Sequence, residues 1–160
     1  GAPPVTPSAT PSDAERRADA AIGRLRQKSA RVTKARRALI DLLARCEDHL
    51  SADDIADRMA DDASRDVAST HRATVYRTLD SLVRVGIVAH VHLPHGAATY
   101  HLVDADRAHL HLLCRECGQI IDAAPDLLDG VQERLASSAG FRLDPDHVAL
   151  TGWCRACAPG

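Results

Sequence analysis

Apolar residues recur at helical spacing through the first half of the chain, and the period then changes. Ala18, Ala21, Ile22 and Leu25 fall at i, i+3, i+4 and i+7, which predicts a helix starting near Asp13. Leu39, Leu42 and Leu43 carry a second helix, capped by Thr33 and running to about Cys46. Ser51 followed by Asp54 spells a capping box for a third helix through Met59. Val75, Leu79, Leu82 and Val83 form the stripe of a fourth, with Ser69 or Thr70 to cap it and Gly86 to end it. Beyond Gly86, Ile87, Val88 and Val91, a Pro94-His95-Gly96 turn, and Thr99, Tyr100 and Val103 read as a β-hairpin. A strand over 109–113 puts His109 and His111 on one face, for a ligand, and Leu110 and Leu112 on the other, for a core. Strand Gln119–Asp122, a helix from Pro125 to Ala139 and a strand from His147 to Thr151 complete the pattern. In that helix Leu127, Leu128, Val131 and Leu135 face inward, and Gly140 is the stop.

Helices followed by a two-stranded hairpin predict a winged helix-turn-helix, whose fourth helix would enter a major groove. A plain helical bundle is the alternative for the helical part. Residues 1–12, mostly Pro, Ala, Ser and Thr, are too poor in apolar mass to fold. The DNA-binding unit is expected over 13–103, a polar hinge over 104–108, and a small α/β unit over 109–160. The fold class is therefore α+β. A unit as small as the second usually needs a metal or a partner subunit for stability, and a dimer interface would supply the latter.

Composition changes this picture only through its distribution. The net charge of −2 advertises no polyanion partner, but Arg24–Cys46 holds eight basic residues and one acid. Residues 104–160 hold nine acids against five arginines. A basic front end suits a chain that meets nucleic acid there; solvated helix faces are the bland alternative. No apolar run is long enough to span a membrane. Five cysteines without a secretory signal point to the reducing cytoplasm, and Cys46, beside the Leu39/Leu42/Leu43 stripe, reads as a core thiol.

Cys114-Arg-Glu-Cys117 and Cys154-Arg-Ala-Cys157 can place four thiolates tetrahedrally around one Zn²⁺, tying two distant segments together. His90 and His92 form a second same-face histidine pair, on the hairpin. With His147 they would make an additional metal site. No deaminase signature, phosphate-cradling glycine loop or nucleophile elbow is present. A non-enzyme is expected, with a metal-dependent hydrolase or a zinc-stabilised interaction module as the competing classes.

In order along the chain, Val32-Thr33-Lys-Ala-Arg36, His49-Leu-Ser51-Ala52-Asp53-Asp54, Ala73-Thr74-Val75-Tyr76-Arg77-Thr78-Leu79, His109-Leu-His111-Leu-Leu-Cys114-Arg-Glu-Cys117-Gly118 and Cys154-Arg-Ala-Cys157 resemble the ferric uptake regulator family of metal-sensing repressors. The resemblance implies a homodimer that binds a palindromic double-stranded operator when a regulatory metal sits at the hinge. It implies His49, His101, His109, His111 and Asp122 as that metal's ligands, and Arg31, Tyr76 and Arg77 as DNA contacts. The hairpin from Ala89 to Leu102, with His147, is most similar to the nickel-responsive actinobacterial branch, although Arg107 and Ala108 stand where that branch has histidines. Ni²⁺ is the expected regulatory ion; zinc-, iron- and peroxide-responsive members of the family are the alternatives.

Overall fold

The computed structural model describes residues 11–62, 71–92, 96–104, 110–144 and 148–159. Two compact units divide the chain, the first reaching Asp104 and the second holding residues from 105 onward.

The first unit opens with α1 (Pro11–Gln27), two residues before the expected start at Asp13. Helix α2 (Lys34–Arg45) starts at Thr33, whose side chain accepts the Arg36 N–H as the cap. Strand β1 (Leu50–Ser51) runs into α3 (Ala52–Asp61). There Ser51 and Asp54 form the full capping box, each side chain satisfying the other's backbone N–H. Helix α4 (Arg72–Arg84) carries the buried stripe Val75, Leu79 and Leu82. Its N-cap position is His71, with no side-chain cap bond, in place of the expected Ser69 or Thr70, which lie outside the described residues. Gly86 ends the helix at φ +73, where a Cβ would also meet the Lys28 Nζ at 3.0 Å. Strands β2 (Val88–Val91) and β3 (Thr99–Leu102) pair antiparallel as the hairpin; the tip residues 93–95 lie outside the described set. β1 joins β3 from the other side, giving a three-stranded sheet in the order β1-β3-β2.

One core holds this unit together: Ile22 and Leu25 of α1, Leu39, Ile40 and Leu43 of α2, Ile55 and Met59 of α3, and the α4 stripe. Cys46 is half-buried at its margin, with the Arg58 guanidinium 3.2 Å from its sulfur. Polar clasps then fasten α1 to the end of β3. Arg17 donates to the Asp104 carboxylate at 3.2 Å and to the Ala44 carbonyl at 2.7 Å, and Arg24 donates to the Val103 carbonyl. The segment that leaves the unit is thus fixed by two arginines.

In the second unit β4 (Leu110–Cys114) is central, antiparallel to β5 (Ile120–Ala123) and parallel to β6 (Ala149–Gly152). Being central, it is hydrogen-bonded along both edges. His111 is buried and Leu112 half-buried, on opposite faces of the strand. Between β5 and β6 the chain makes a 3-10 turn (Pro125–Leu128) and then α5 (Asp129–Ala139), which Gly140 ends at φ +61. Pro125 opens the turn, not the α-helix. The tighter turn buries Leu128 and turns Leu127 outward at 66% exposure. No residue of α5 is buried within one chain, and Val131 and Leu135 are half-covered. Their expected inward packing is not met by this chain's own core.

Candidate metal centre and nucleic-acid interface

Parallel pairing builds the cysteine cluster. β4 and β6 run side by side, with Cys114 registered on Gly152, so both strands deliver a Cys-x-x-Cys turn at the same end of the sheet. Each turn closes on its first cysteine: Gly118 N–H donates to the Cys114 carbonyl at 3.0 Å, and Cys157 N–H to the Cys154 carbonyl at 3.0 Å. Gly118 takes φ +73 to leave the first turn. The sulfurs of Cys114, Cys117, Cys154 and Cys157 all lie within 4.8 Å of one another, and the Cys117 and Cys154 sulfurs are 3.8 Å apart. A tetrahedron with Zn–S bonds of about 2.3 Å requires S···S near 3.8 Å, so the cluster fits Zn²⁺. All five cysteines are free thiols. The electrostatics suit a cation. Backbone N–H groups of Cys117 and Cys154 lower the Cys114 thiol to about 6. The neighbouring Cys154 thiol, with burial and the other sulfurs, pushes Cys157 up to about 12. Several thiolates cannot crowd together until a metal balances their charge.

Each unit also pairs an imidazole with a second metal-ligating group. In the first, β1 and β3 pair Leu50 with Tyr100 and Ser51 with Thr99. The same register carried back one residue sets His49 opposite His101, and their ring centroids are 4.9 Å apart. In the second unit His111 and Asp122 are registered partners, with Nδ1 to carboxylate oxygen at 3.1 Å. When Nδ1 carries the proton for that bond, Nε2 is the nitrogen with the lone pair, the arrangement that orients metal-binding histidines. His109 lies outside the described residues. On the hairpin His90 and His92 are exposed, with ring centroids 5.0 Å apart, and line a groove with Asp80, Arg84 and Tyr100. The third member expected there, His147, lies outside the described residues, as does His95.

The outer face of α4 presents Arg72, Tyr76 and Arg77 to solvent, opposite the Val75/Leu79 stripe. Arg77 Nε donates to the Ala73 carbonyl at 3.3 Å, one turn back. Among the described residues it makes no ion pair with Asp80, which lies three residues on in the same helix. Arg31 is exposed, and the Arg36 guanidinium holds its carbonyl at 2.7 Å while also reaching Ser81 of α4 at 3.3 Å. Sequence reasoning missed Asp53 and Asp57 of α3, which reach across to this face. Arg72 donates to Asp53 at 2.8 Å and to Asp57 at 2.7 Å, and the Tyr76 hydroxyl donates to Asp53. Two acids one helical turn apart, ahead of a basic helix, were the available signal; only the packing of α3 on α4 says where they point.

The sequence profile of the Ferric uptake regulator family matches residues 27–151. The chain is 32% identical over 146 residues to the ferric uptake regulation protein of Bacillus subtilis, covering 89% of this chain and 95% of that one. It is 27% identical over 143 residues to the peroxide-responsive repressor PerR of Staphylococcus saprophyticus, covering 89% and 93%. Among solved structures, the ferric uptake regulator of Pseudomonas aeruginosa with manganese superposes with a TM-score of 0.67 at 27% identity, covering 84% of this chain and 97% of that one.

Proposed function

The chain belongs to the ferric uptake regulator family, and from that premise we propose that it is a repressor that binds palindromic operator DNA as a homodimer when its regulatory metal, nickel, is bound. Membership makes it a metal-responsive transcriptional regulator of the iron, peroxide, zinc and manganese kind. Nickel is the finer step, and the hairpin histidines support it. Enzymatic and pure interaction roles are not favoured.

The observation that carries the mechanism is the imidazole pairing on each unit: His49 with His101 on the first, His111 with Asp122 on the second. The regulatory metal would take His49, His101, His109, His111 and Asp122, and the second site His90, His92 and His147. Both sets draw on the two units, so a bound ion favours one arrangement of them over others. Zn²⁺ on the four cysteines would supply folding free energy to the second unit. Four thiolates held for a metal suit the reducing cytoplasm. No helix among the described residues is long and apolar enough to cross a membrane. Arg31, Tyr76 and Arg77 would make the DNA contacts. Arg77 can serve a phosphate or a guanine, Tyr76 can pack on a thymine methyl, and Arg31 can enter an A·T-rich minor groove.

The deciding experiment is an operator titration of the parent, His49→Ala and His92→Ala with Ni²⁺, Zn²⁺, Fe²⁺ and Mn²⁺. Nickel is expected to raise parental affinity roughly 5–150-fold, the range of a 1–3 kcal/mol coupling. Both variants are expected to lose much of that gain. Full metal response in His49→Ala rejects the switch, and full nickel response in His92→Ala removes the support for nickel.

A further inference from the structure

The face of α4 that carries Tyr76 is not simply basic. Arg72, its N-terminal cation, is gripped at both terminal nitrogens, by Asp53 at 2.8 Å and by Asp57 at 2.7 Å. Asp53 also accepts the Tyr76 hydroxyl. Two carboxylates against one guanidinium leave this cluster with one negative charge in excess. A DNA phosphate approaching Arg72 therefore meets a cation whose two terminal nitrogens already each serve a carboxylate and whose neighbours repel it. A single exposed ion pair would give way easily. Here two acids, set one turn apart on a helix that the Ser51 capping box anchors, share one arginine. Arg77, five residues further along α4, has no such clamp among the described residues, where it donates to its own helix's Ala73 carbonyl.

We propose that Asp53 and Asp57 hold the Arg72 guanidinium away from DNA phosphates, so that sequence-independent binding stays weak and operator choice rests on Tyr76 and Arg77. This rests on α4 being the DNA-reading helix. The acids are specificity-determining residues that act through Arg72. Their benefit is a wider gap between operator and bulk DNA, which decides occupancy when non-operator sites are in great excess.

The test uses the full-length, metal-loaded protein and two duplexes of equal length: an A·T-rich palindrome selected from a random pool, and its scramble. Asp57→Asn and the Asp53→Asn/Asp57→Asn pair, both changes at exposed positions, are titrated on each across a salt series. The expected result is a rise of roughly two- to tenfold in affinity for the scramble, with its log K against log salt slope steeper by about 1.8, one added phosphate contact from each subunit of the dimer. Operator discrimination narrows accordingly. Adding Arg72→Gln to Asp57→Asn should return the slope to the parent's, while Arg72→Gln alone should leave it unchanged. Unchanged scramble binding in both acid variants overturns the proposal. So does a slope flattened by about 1.8 in Arg72→Gln alone, which would mean that Arg72 of each subunit already sits on a phosphate. Arg77→Ala runs in parallel. If it weakens operator binding while the acid variants do nothing, this proposal alone fails. If it binds both duplexes like the parent, α4 is not the reader, and the DNA-reading assignment falls together with this one.

Discussion

Cys154 is buried, its N–H lies 3.4 Å from the Cys114 sulfur, and its own sulfur lies 3.8 Å from that of Cys117. Replacing it removes one of the four ligands through which the turn after β6 meets the turn after β4. Cys154→Ser is expected to lose about one zinc per chain and to unfold the second unit, with dimerisation lost too; metal content and sedimentation check this. A folded, zinc-free dimer would contradict it. Protons should move as well. Cys157 starts protonated at neutral pH because its thiol sits at about 12, whereas Cys114, at about 6, is already largely a thiolate. Zinc uptake by the metal-free protein at pH 7 should therefore release protons, measurable with an indicator dye in weak buffer, and acid should compete with the metal. At the DNA face, Tyr76→Ala is expected to relax sequence preference at about 1–3 kcal/mol. The cysteine set was legible because Cys-x-x-Cys is a local spacing. Asp53 and Asp57 were not, because their link to Arg72 spans 15–19 residues and exists only once α3 packs on α4.

Among the elements, those buried on a single face could be read from period alone. The α4 stripe and the Ser51 capping box emerge as the sequence predicts, because a stripe against one core and a reciprocal cap are decided within a few residues. β4 and α5 could not be read this way. What covers a strand's faces, and whether a helix face meets its own core, depends on partners distant in sequence; hence period alone does not say that His111 is buried and Leu127 exposed. The two caps give a test. Ser51→Ala and Thr33→Ala should each cost about 1 kcal/mol of stability, read from thermal unfolding. Only Ser51→Ala should also weaken regulatory-metal binding, because Ser51 ends the strand whose register sets His49 opposite His101. Equal metal affinity in the two variants would mean that the metal does not depend on β1.

The whole molecule joins a unit stabilised by a helical core to one whose described residues bury far less. The second unit's buried residues are few: Leu110, His111, Leu113, Cys114, Leu128 and Cys154. Apolar side chains at Ile121, Leu127, Phe141, Leu150 and Trp153 remain exposed. A sheet and a helix so thinly covered call for the zinc and for a second copy of the chain. Chelation is expected to melt this unit and separate subunits while the first unit keeps its helical circular dichroism. A single cooperative loss of both units would show that they share one folding transition.

The parallel register of β4 with β6 has a consequence in time. The first cysteine pair is complete at Cys117, 37 residues ahead of Cys154. At about 5–20 residues per second, that is an interval of roughly two to seven seconds. During it the nascent chain offers half a metal site, while every strand and helix of the first unit has already been made. Ribosome-bound chains halted within the interval should resist protease through Asp104 and remain cleavable beyond it. On this schedule the DNA-binding unit is finished first, and zinc closes the other only after β6 has been added beside β4.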